Sequence, residues 1–173
     1  LFKVLDEEKA DYLAVAFDLK APTFRHKMFD AYKGTRKPMP EELHEQVPLM
    51  KEVLTAMGVP ILTKEGYEAD DILGTIAKRE QKDGYEVTIL SGDRDLLQLS
   101  DTHIRICLPK TSRGTTEVHN YYPEDVIREY QVTPTEFIDV KALMGDTSDN
   151  IPGVPSIGEK TATNLIVAYG SIE

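Results

Sequence analysis

The chain has 173 residues, 40% of them hydrophobic and 29% charged, and a formal net charge of −10. That length can bury a proper core, no apolar run approaches the roughly 18 residues of a membrane span, and no N-terminal signal pattern is present. Its single cysteine, Cys107, excludes an internal disulfide framework and makes a reducing cytoplasm the default compartment.

The opening segment places Leu1, Phe2 and Leu5 at helical spacing with no N-cap before them. This predicts a helix already under way, in a fragment whose natural N-terminus lies upstream. "YLAVAFD" (12–18) is a continuous apolar run, as expected of a strand buried on both faces. A helix follows in "EELHEQVPLMKEVLTAMG", with Pro48 predicting a kink or a break into two and Gly58 a C-terminal cap. "VPILT" reads as a short strand. The helix that begins in "EADDILGTIA" buries Ala69, Ile72, Leu73, Ile76 and Ala77. "YEVTILSGD" (85–93) is a second strong strand, "RDLLQL" a short helix, "HIRICLP" a further strand and "TEVHN" an edge strand. Alternation of this kind predicts an α/β fold, a mainly parallel sheet flanked by helices.

From Tyr122 onward only helices are expected. Pro123 suits a first turn, and Thr133 with Glu136 forms a capping-box pattern that Ser156 with Glu159 repeats. The expected division is therefore an α/β core over 1–120 and a small helical region over 121–173. The chain stops shortly after its last helix, so this end also reads as cut.

Acids concentrate where a parallel sheet places its sites, at the carboxyl ends of strands. Asp18 ends the first strong strand, Asp93 the second, and Asp95 follows two residues later. Glu68, Asp70 and Asp71 crowd a helix start, and Asp146 and Asp149 follow a helix end in "GDTSDNIPG". Any one of these is ordinarily a cap or turn residue. So many together would raise one another's pKa values unless a cation neutralised them. His26, His44, His103 and His119 are scattered and show no zinc-ligand spacing. All-oxygen ligands suit Mg²⁺ or Mn²⁺, and two such ions can clamp a phosphodiester.

Two further features point to a polyanion. Residues 20–37 carry Lys20, Arg25, Lys27, Lys33, Arg36 and Lys37 against Asp30, with Phe24, Phe29 and Tyr32 interleaved. "GVPSIGEK" is a Gly-bounded hairpin between two helices, in which the amides of Ile157 to Lys160 are expected to be open to phosphate oxygens. Following "GDTSDNIPG" and joining two capped helices, it is a helix–hairpin–helix candidate.

In this order, "AVAFD", "TFRHKMFDAYKGTRKP", "EGYEADDILGTIA", "TILSGDRDLLQL" and "LMGDTSDNIPGVPSIGEKTA" resemble the 5′-nuclease family. The likeness is closest to the N-terminal 5′→3′ exonuclease domain of bacterial DNA polymerase I, with flap endonucleases as wider relatives. The resemblance implies a PIN-like 5′-nuclease fold with a helix–hairpin–helix region. It implies Asp18, Glu68, Asp70 and Asp71 around one metal ion and Asp93, Asp95, Asp146 and Asp149 around or near a second. Mg²⁺ or Mn²⁺ would be the cofactor. Arg25, Lys33 and Arg36 would contact phosphates in an arch over the 5′ strand, with Lys33 and Arg25 catalytic. Tyr32 could stack on a base. Gly153, Ser156, Ile157, Gly158 and Lys160 would grip duplex DNA regardless of sequence.

The implied substrate is DNA with a 5′ flap or a 5′ end at a duplex junction, or an RNA primer on DNA. The implied setting is a monomer in the bacterial nucleoid, fused to polymerase domains and without a membrane partner. One departure stands out. The family begins with a strand bearing another metal-binding Asp, expected upstream of Leu1, so the fragment by itself could be inactive. Two other classes compete: a non-catalytic structure-specific DNA-binding module, and a metal-dependent phosphatase-like enzyme for small molecules. The first has no need of so many acids beside a polyanion, and the second leaves the basic island and the hairpin unexplained.

Overall fold

A computed structural model describes residues 2–112 and 114–173 of the chain. They fall into two units, one comprising the chain through Phe24 together with Lys37–Ile72, the other Arg25–Arg36 together with Leu73–Glu173.

The first unit starts with helix α1 (Phe2–Glu8), as the Phe2/Leu5 spacing predicts. Strands β1 (Val15–Ala16) and β2 (Ile61–Leu62) pair in parallel, Val15 opposite Ile61. The strand expected over 12–18 is thus much shorter, and it is not buried on both faces. Val15 and Ala16 are half-buried and Tyr12 is 78% exposed. The physical reason is pairing: among the described residues β1 bonds to β2 only. Helix α3 (Glu41–Ala56) runs through Pro48 without a break, buries Leu54, and is closed by Gly58 at φ +71°. Proline at that position removes one helical hydrogen bond, which the remaining turns on either side tolerate.

The chain crosses between units inside α2 (Phe24–Met28), again after Arg36, and finally in the first turn of α4 (Ala69–Lys82). In the second unit β3 (Val87–Leu90) pairs in parallel with β4 (Ile104–Ser112), and β4 pairs antiparallel with the edge strand β5 (Thr115–Tyr121). A 3₁₀ helix, Arg94–Leu99, links β3 to β4. Helices α5 (Pro123–Tyr130), α6 (Glu136–Met144) and α7 (Glu159–Tyr169) follow. Among the described residues two of the three strand pairings are parallel, and the elements after β5 are all helices, the α/β class that the alternation predicts.

The core of this unit gathers Leu97, Ile104, Ile106, Val126, Val140 and Ile166, all essentially inaccessible. Cys107 is buried beside them. Local capping fixes where the helices begin. Thr133 and Glu136 exchange the two expected bonds, Thr133 N–H to Glu136 Oε2 at 2.7 Å and Glu136 N–H to Thr133 Oγ1 at 3.2 Å. The second box does not form. Ser156 lies at φ +66°, in the left-handed region rather than the extended one a capping residue adopts, so helix α7 starts at Glu159 with Gly158 as its N-cap, and Glu159 pairs with Arg94 at 3.2 Å instead. No helix among the described residues is long and apolar enough to cross a membrane.

Candidate functional site

In the first unit the acids gather at the start of α4. Asp71 Oδ2 accepts the Glu68 amide at 2.9 Å, and Asp18 Oδ1, arriving from the end of β1, accepts the Ala69 amide at 2.7 Å. Both carboxylates therefore satisfy N–H groups that a helix start leaves unpaired. Glu68 is buried at 8% exposure and Asp70 lies half-buried in the first turn. The dipole of the helix favours negative charge at this end.

In the second unit an open cleft of about 560 Å³ is lined by Asp93, Asp95, Lys141, Asp146 and Ser148, among others. Asp93 ends the β3 segment and caps the 3₁₀ helix, its Oδ1 accepting the Asp95 amide at 2.8 Å. Asp95 and Asp146 meet across one ammonium: Lys141 Nζ lies 2.9 Å from Asp95 Oδ1 and 2.7 Å from Asp146 Oδ2. Asp146 Oδ1 accepts the Ser148 amide at 2.8 Å, the Ser148 hydroxyl at 2.6 Å and the Asp149 amide at 3.3 Å. Asp95 Oδ1, although buried, has no aligned hydrogen bond.

The charges respond accordingly. Burial pushes the Asp95 carboxyl up, against the pull of Lys141. Burial would raise Asp146 as well, but Lys141 and Ser148 outweigh it and hold that carboxyl well below its ordinary range. Lys141 is partly desolvated, yet its two carboxylates keep its pKa above the usual value.

Both Asp146 and Asp149 sit on a tight loop. Asp146 and Ile151 exchange amide bonds of 2.8 and 2.7 Å, closing it. At its base the backbones of Gly145 (φ +72°) and Gly153 (φ +61°) press together, so that a Cβ on Gly145 would lie 2.5 Å from Gly153 N. Gly153, expected to contact DNA, is thus placed where its lack of a side chain is a steric requirement of the loop.

The basic turn is fastened to this loop. Arg36 Nη2 meets Asp149 Oδ1 at 2.5 Å and its Nε donates to Ser148 O at 3.1 Å. Tyr32 O–H donates to Asp149 Oδ2 at 3.0 Å, the Lys33 amide to Asp149 O at 2.9 Å, and Asn150 Nδ2 to Ala31 O at 2.7 Å. Asp149, expected as a metal ligand, therefore has both oxygens engaged by the turn. Tyr32 is 5% exposed, its ring edge-on to His26 at 5.1 Å, and offers no face to a base in this arrangement. Lys33 holds φ +54°, with Nζ 5.0 Å from the Tyr32 ring centroid. Arg25 is half-buried in α2 and Arg36 exposed.

In the hairpin between α6 and α7, Ser156, Gly158 and Lys160 are exposed. Ile157 packs against the core, and its amide donates to Val154 O at 3.1 Å, so it is spent inside the loop rather than open to a phosphate.

Among the described residues no three His, Cys, Asp or Glu side chains lie close enough together to hold an ion. Asp18, Asp71, Asp93, Asp146 and Asp149 have instead found hydrogen-bond donors, and Asp95 and Asp146 the Lys141 ammonium, which relieves the mutual repulsion. Lys141 is the residue that sequence reasoning missed. The available signal was a lysine in the last turn of a helix, five positions before a suspected ligand, but its pairing with Asp95 is tertiary and leaves no spacing to read.

The sequence matches the family described as the 5′-3′ exonuclease N-terminal resolvase-like domain over residues 1–131, and the 5′-3′ exonuclease C-terminal SAM fold over 132–173. DNA polymerase I of Bacillus caldotenax is 49% identical over 173 residues, all of this chain and 20% of that protein. The chain thus spans about one fifth of the length of the curated relatives it matches. The T5 D15 protein crystallised with metal ions superposes with a TM-score of 0.79 at 28% identity, over 99% of this chain and 66% of that one. A T5 D15 flap endonuclease complex with DNA and metal ions gives 0.78 at 26% identity, over 99% and 65%. With both halves of the sequence matched, the chain belongs to the 5′-3′ exonuclease family.

Proposed function

We propose that this chain is the metal-dependent nuclease part of a longer DNA polymerase I, hydrolysing phosphodiesters at 5′ flaps and 5′ ends of duplex junctions, including the 5′ ends of RNA primers. The observation that carries this reading is the second unit's cleft. There Asp95 and Asp146 face each other across a single cation, and the loop bearing Asp146 also seats the basic turn. The support from outside the chain is that T5 relatives of the same fold are described with metal ions and DNA.

The donor set fits a hard divalent ion. All the candidate ligands are oxygens, and the buried Asp95 Oδ1 meets the Lys141 ammonium at 2.9 Å without an aligned hydrogen bond. Mg²⁺ or Mn²⁺ is the assignment such donors favour, since Mg²⁺ is commonly held by one or two carboxylates with substrate phosphates completing the shell. Bound there, a divalent ion supplies Lewis-acid polarisation of the phosphodiester and a nucleophile at neutral pH. Asp93, Asp95, Asp146 and Asp149 form one candidate ligand group, and Asp18, Glu68, Asp70 and Asp71 another at the start of α4. Lys33 places positive charge where the scissile phosphate gains negative charge. Arg25 and Arg36 hold backbone phosphates, and Ser156, Gly158 and Lys160 grip the duplex.

The test is incubation of the protein with a 5′-flap duplex, with Mg²⁺ and with EDTA. Cleavage near the junction that needs the ion supports the reading. Tight junction binding without cleavage, when the same holds for the chain joined to its native flanking sequence, leaves only a binding module.

The hairpin makes a separate prediction. Gly158→Pro removes an amide beside the exposed phosphate grip and draws φ from −96° toward about −65°. It is expected to weaken binding to every duplex sequence, with a shallower salt dependence, and to leave single-turnover cleavage at saturation near normal. Filter binding across a salt series reads this directly, and unchanged affinity removes the hairpin from the interface.

A further inference from the structure

Lys141 has a feature that binding of a divalent ion does not require and in fact opposes. Its ammonium lies within hydrogen-bonding range of Asp95 and Asp146 at once, at 2.9 and 2.7 Å, in a cleft whose other charged lining residues are Asp93 and Arg94. It is well shielded there, with its side chain 15% exposed against 36% for Asp95 and 18% for Asp146. The remaining oxygen of Asp146 is saturated by Ser148 and the Asp149 amide, so the carboxylate cannot turn its other face to the cleft without losing three donors. The oxygens an ion would use between these two residues are therefore the ones the ammonium now touches.

We propose that Lys141 is a tethered cation that keeps Asp95 and Asp146 together before metal arrives, and that a divalent ion must displace it to bind between them. This rests on the reading of those two carboxylates as metal ligands. The physical argument is charge balance. Two carboxylates and one ammonium leave a single negative charge, enough to hold the pair at short range and to keep an otherwise repulsive pair folded. Adding a divalent ion beside the ammonium would set three positive charges against these two negative ones in a partly desolvated cleft, an excess that Asp93 and Arg94, of opposite charge, leave unchanged. A lysine can yield the position because it is a compact charge on a flexible four-carbon stem, with no planar fork to hold it in register. Departure leaves it near the C-terminal end of α6, where positive charge is favoured by the helix dipole. The same residue thus organises the ligands and lowers their apparent affinity, so that the resting protein resists filling by stray divalent ions.

Mn²⁺ titration followed by electron paramagnetic resonance, on the parent protein and on Lys141→Met and Lys141→Arg, tests this. Removing the charge while keeping the stem is expected to tighten the apparent Mn²⁺ dissociation constant tenfold or more, with Lys141→Arg staying within about threefold of the parent. A Lys141→Met affinity equal to or weaker than the parent's overturns the proposal. Should that variant fold poorly, amine labelling of the parent read by mass spectrometry decides the matter. The Lys141 labelling rate should rise several-fold as Mg²⁺ is added, with Lys78, paired to Asp101 outside the cleft, as the unchanged control. A Lys141 rate that stays flat at Mg²⁺ concentrations that saturate the protein overturns it equally. If neither the parent nor any variant binds Mn²⁺, the metal-site reading itself fails and takes this inference with it.

Discussion

Truncating Lys33 to alanine is expected to slow cleavage of a 5′-flap duplex by about 10²-fold or more, the scale seen when one preorganised electrostatic group is lost. Duplex affinity should change little. The structure makes the substitution clean. Lys33 already sits at φ +54°, and its amide is held by Asp149 O at 2.9 Å, a backbone bond that alanine retains. The left-handed conformation costs both residues a similar amount, so the turn should keep its shape. What disappears is the ammonium, now stacked over the Tyr32 ring. A group acting only in the transition state lowers kcat and kcat/KM together. Single-turnover rates with saturating enzyme measure this, and cleavage at the parent rate would falsify the assignment of Lys33 to catalysis.

The largest stability effect is expected at Gly153. A methyl group there would meet Gly145 N, with the Met144 carbonyl carbon at 2.5 Å and its oxygen at 2.7 Å, at a φ of +61°. The left-handed backbone alone costs an alanine about 1–2 kcal/mol. The overlap is with backbone atoms, which cannot swing aside as a side-chain tip can. Gly153→Ala should therefore lose about 3 kcal/mol or more, in the range reserved for a few severe mechanisms. Gly158→Ala is the control: a Cβ there meets nothing within 4 Å and φ is −96°. Its cost should stay at about 1 kcal/mol or below, the scale of an N-cap change. Urea midpoints at constant m distinguish the two. Equal midpoints would mean that the Gly145–Gly153 crossing does not hold the loop.

Sequence reading succeeded where the determinant is local. The Thr133–Glu136 box, the Gly58 helix end and the short 94–99 helix each follow from residues a few positions apart. It overreached where burial depends on neighbours. The run 12–18 looked like a central strand because its residues are apolar, but β1 pairs only at Val15 and Ala16. Ser156 and Glu159 have the spacing of a cap, yet Ser156 lies at φ +66°, in the left-handed region rather than the extended one a capping residue adopts.

At the site, the residue types were legible and their partners were not. Asp146 and Asp95 could be singled out as acids after a helix and a strand. That they share an ammonium depends on α6 packing against the 94–99 segment. Likewise "GDTSDNIPG" announces a loop, but only the tertiary approach of Gly145 to Gly153 shows why both glycines are needed.

The clamp between the basic turn and the acidic loop also has a consequence for how the molecule is made. Arg36 and Asp149 are 113 positions apart, and a ribosome adding roughly 5–20 residues per second separates their appearance by on the order of ten seconds. During that interval the segment from Arg25 to Arg36 has been synthesised and its anchor has not. Residues 37–72, which belong to the other unit, emerge in between and can assemble first. The turn that carries Lys33 is therefore seated only after Asp149 has been synthesised. It reaches its final place only when the loop bearing Asp146 and Asp149 exists to receive it, so in a nascent chain the basic turn and this acidic loop settle in a single closing step.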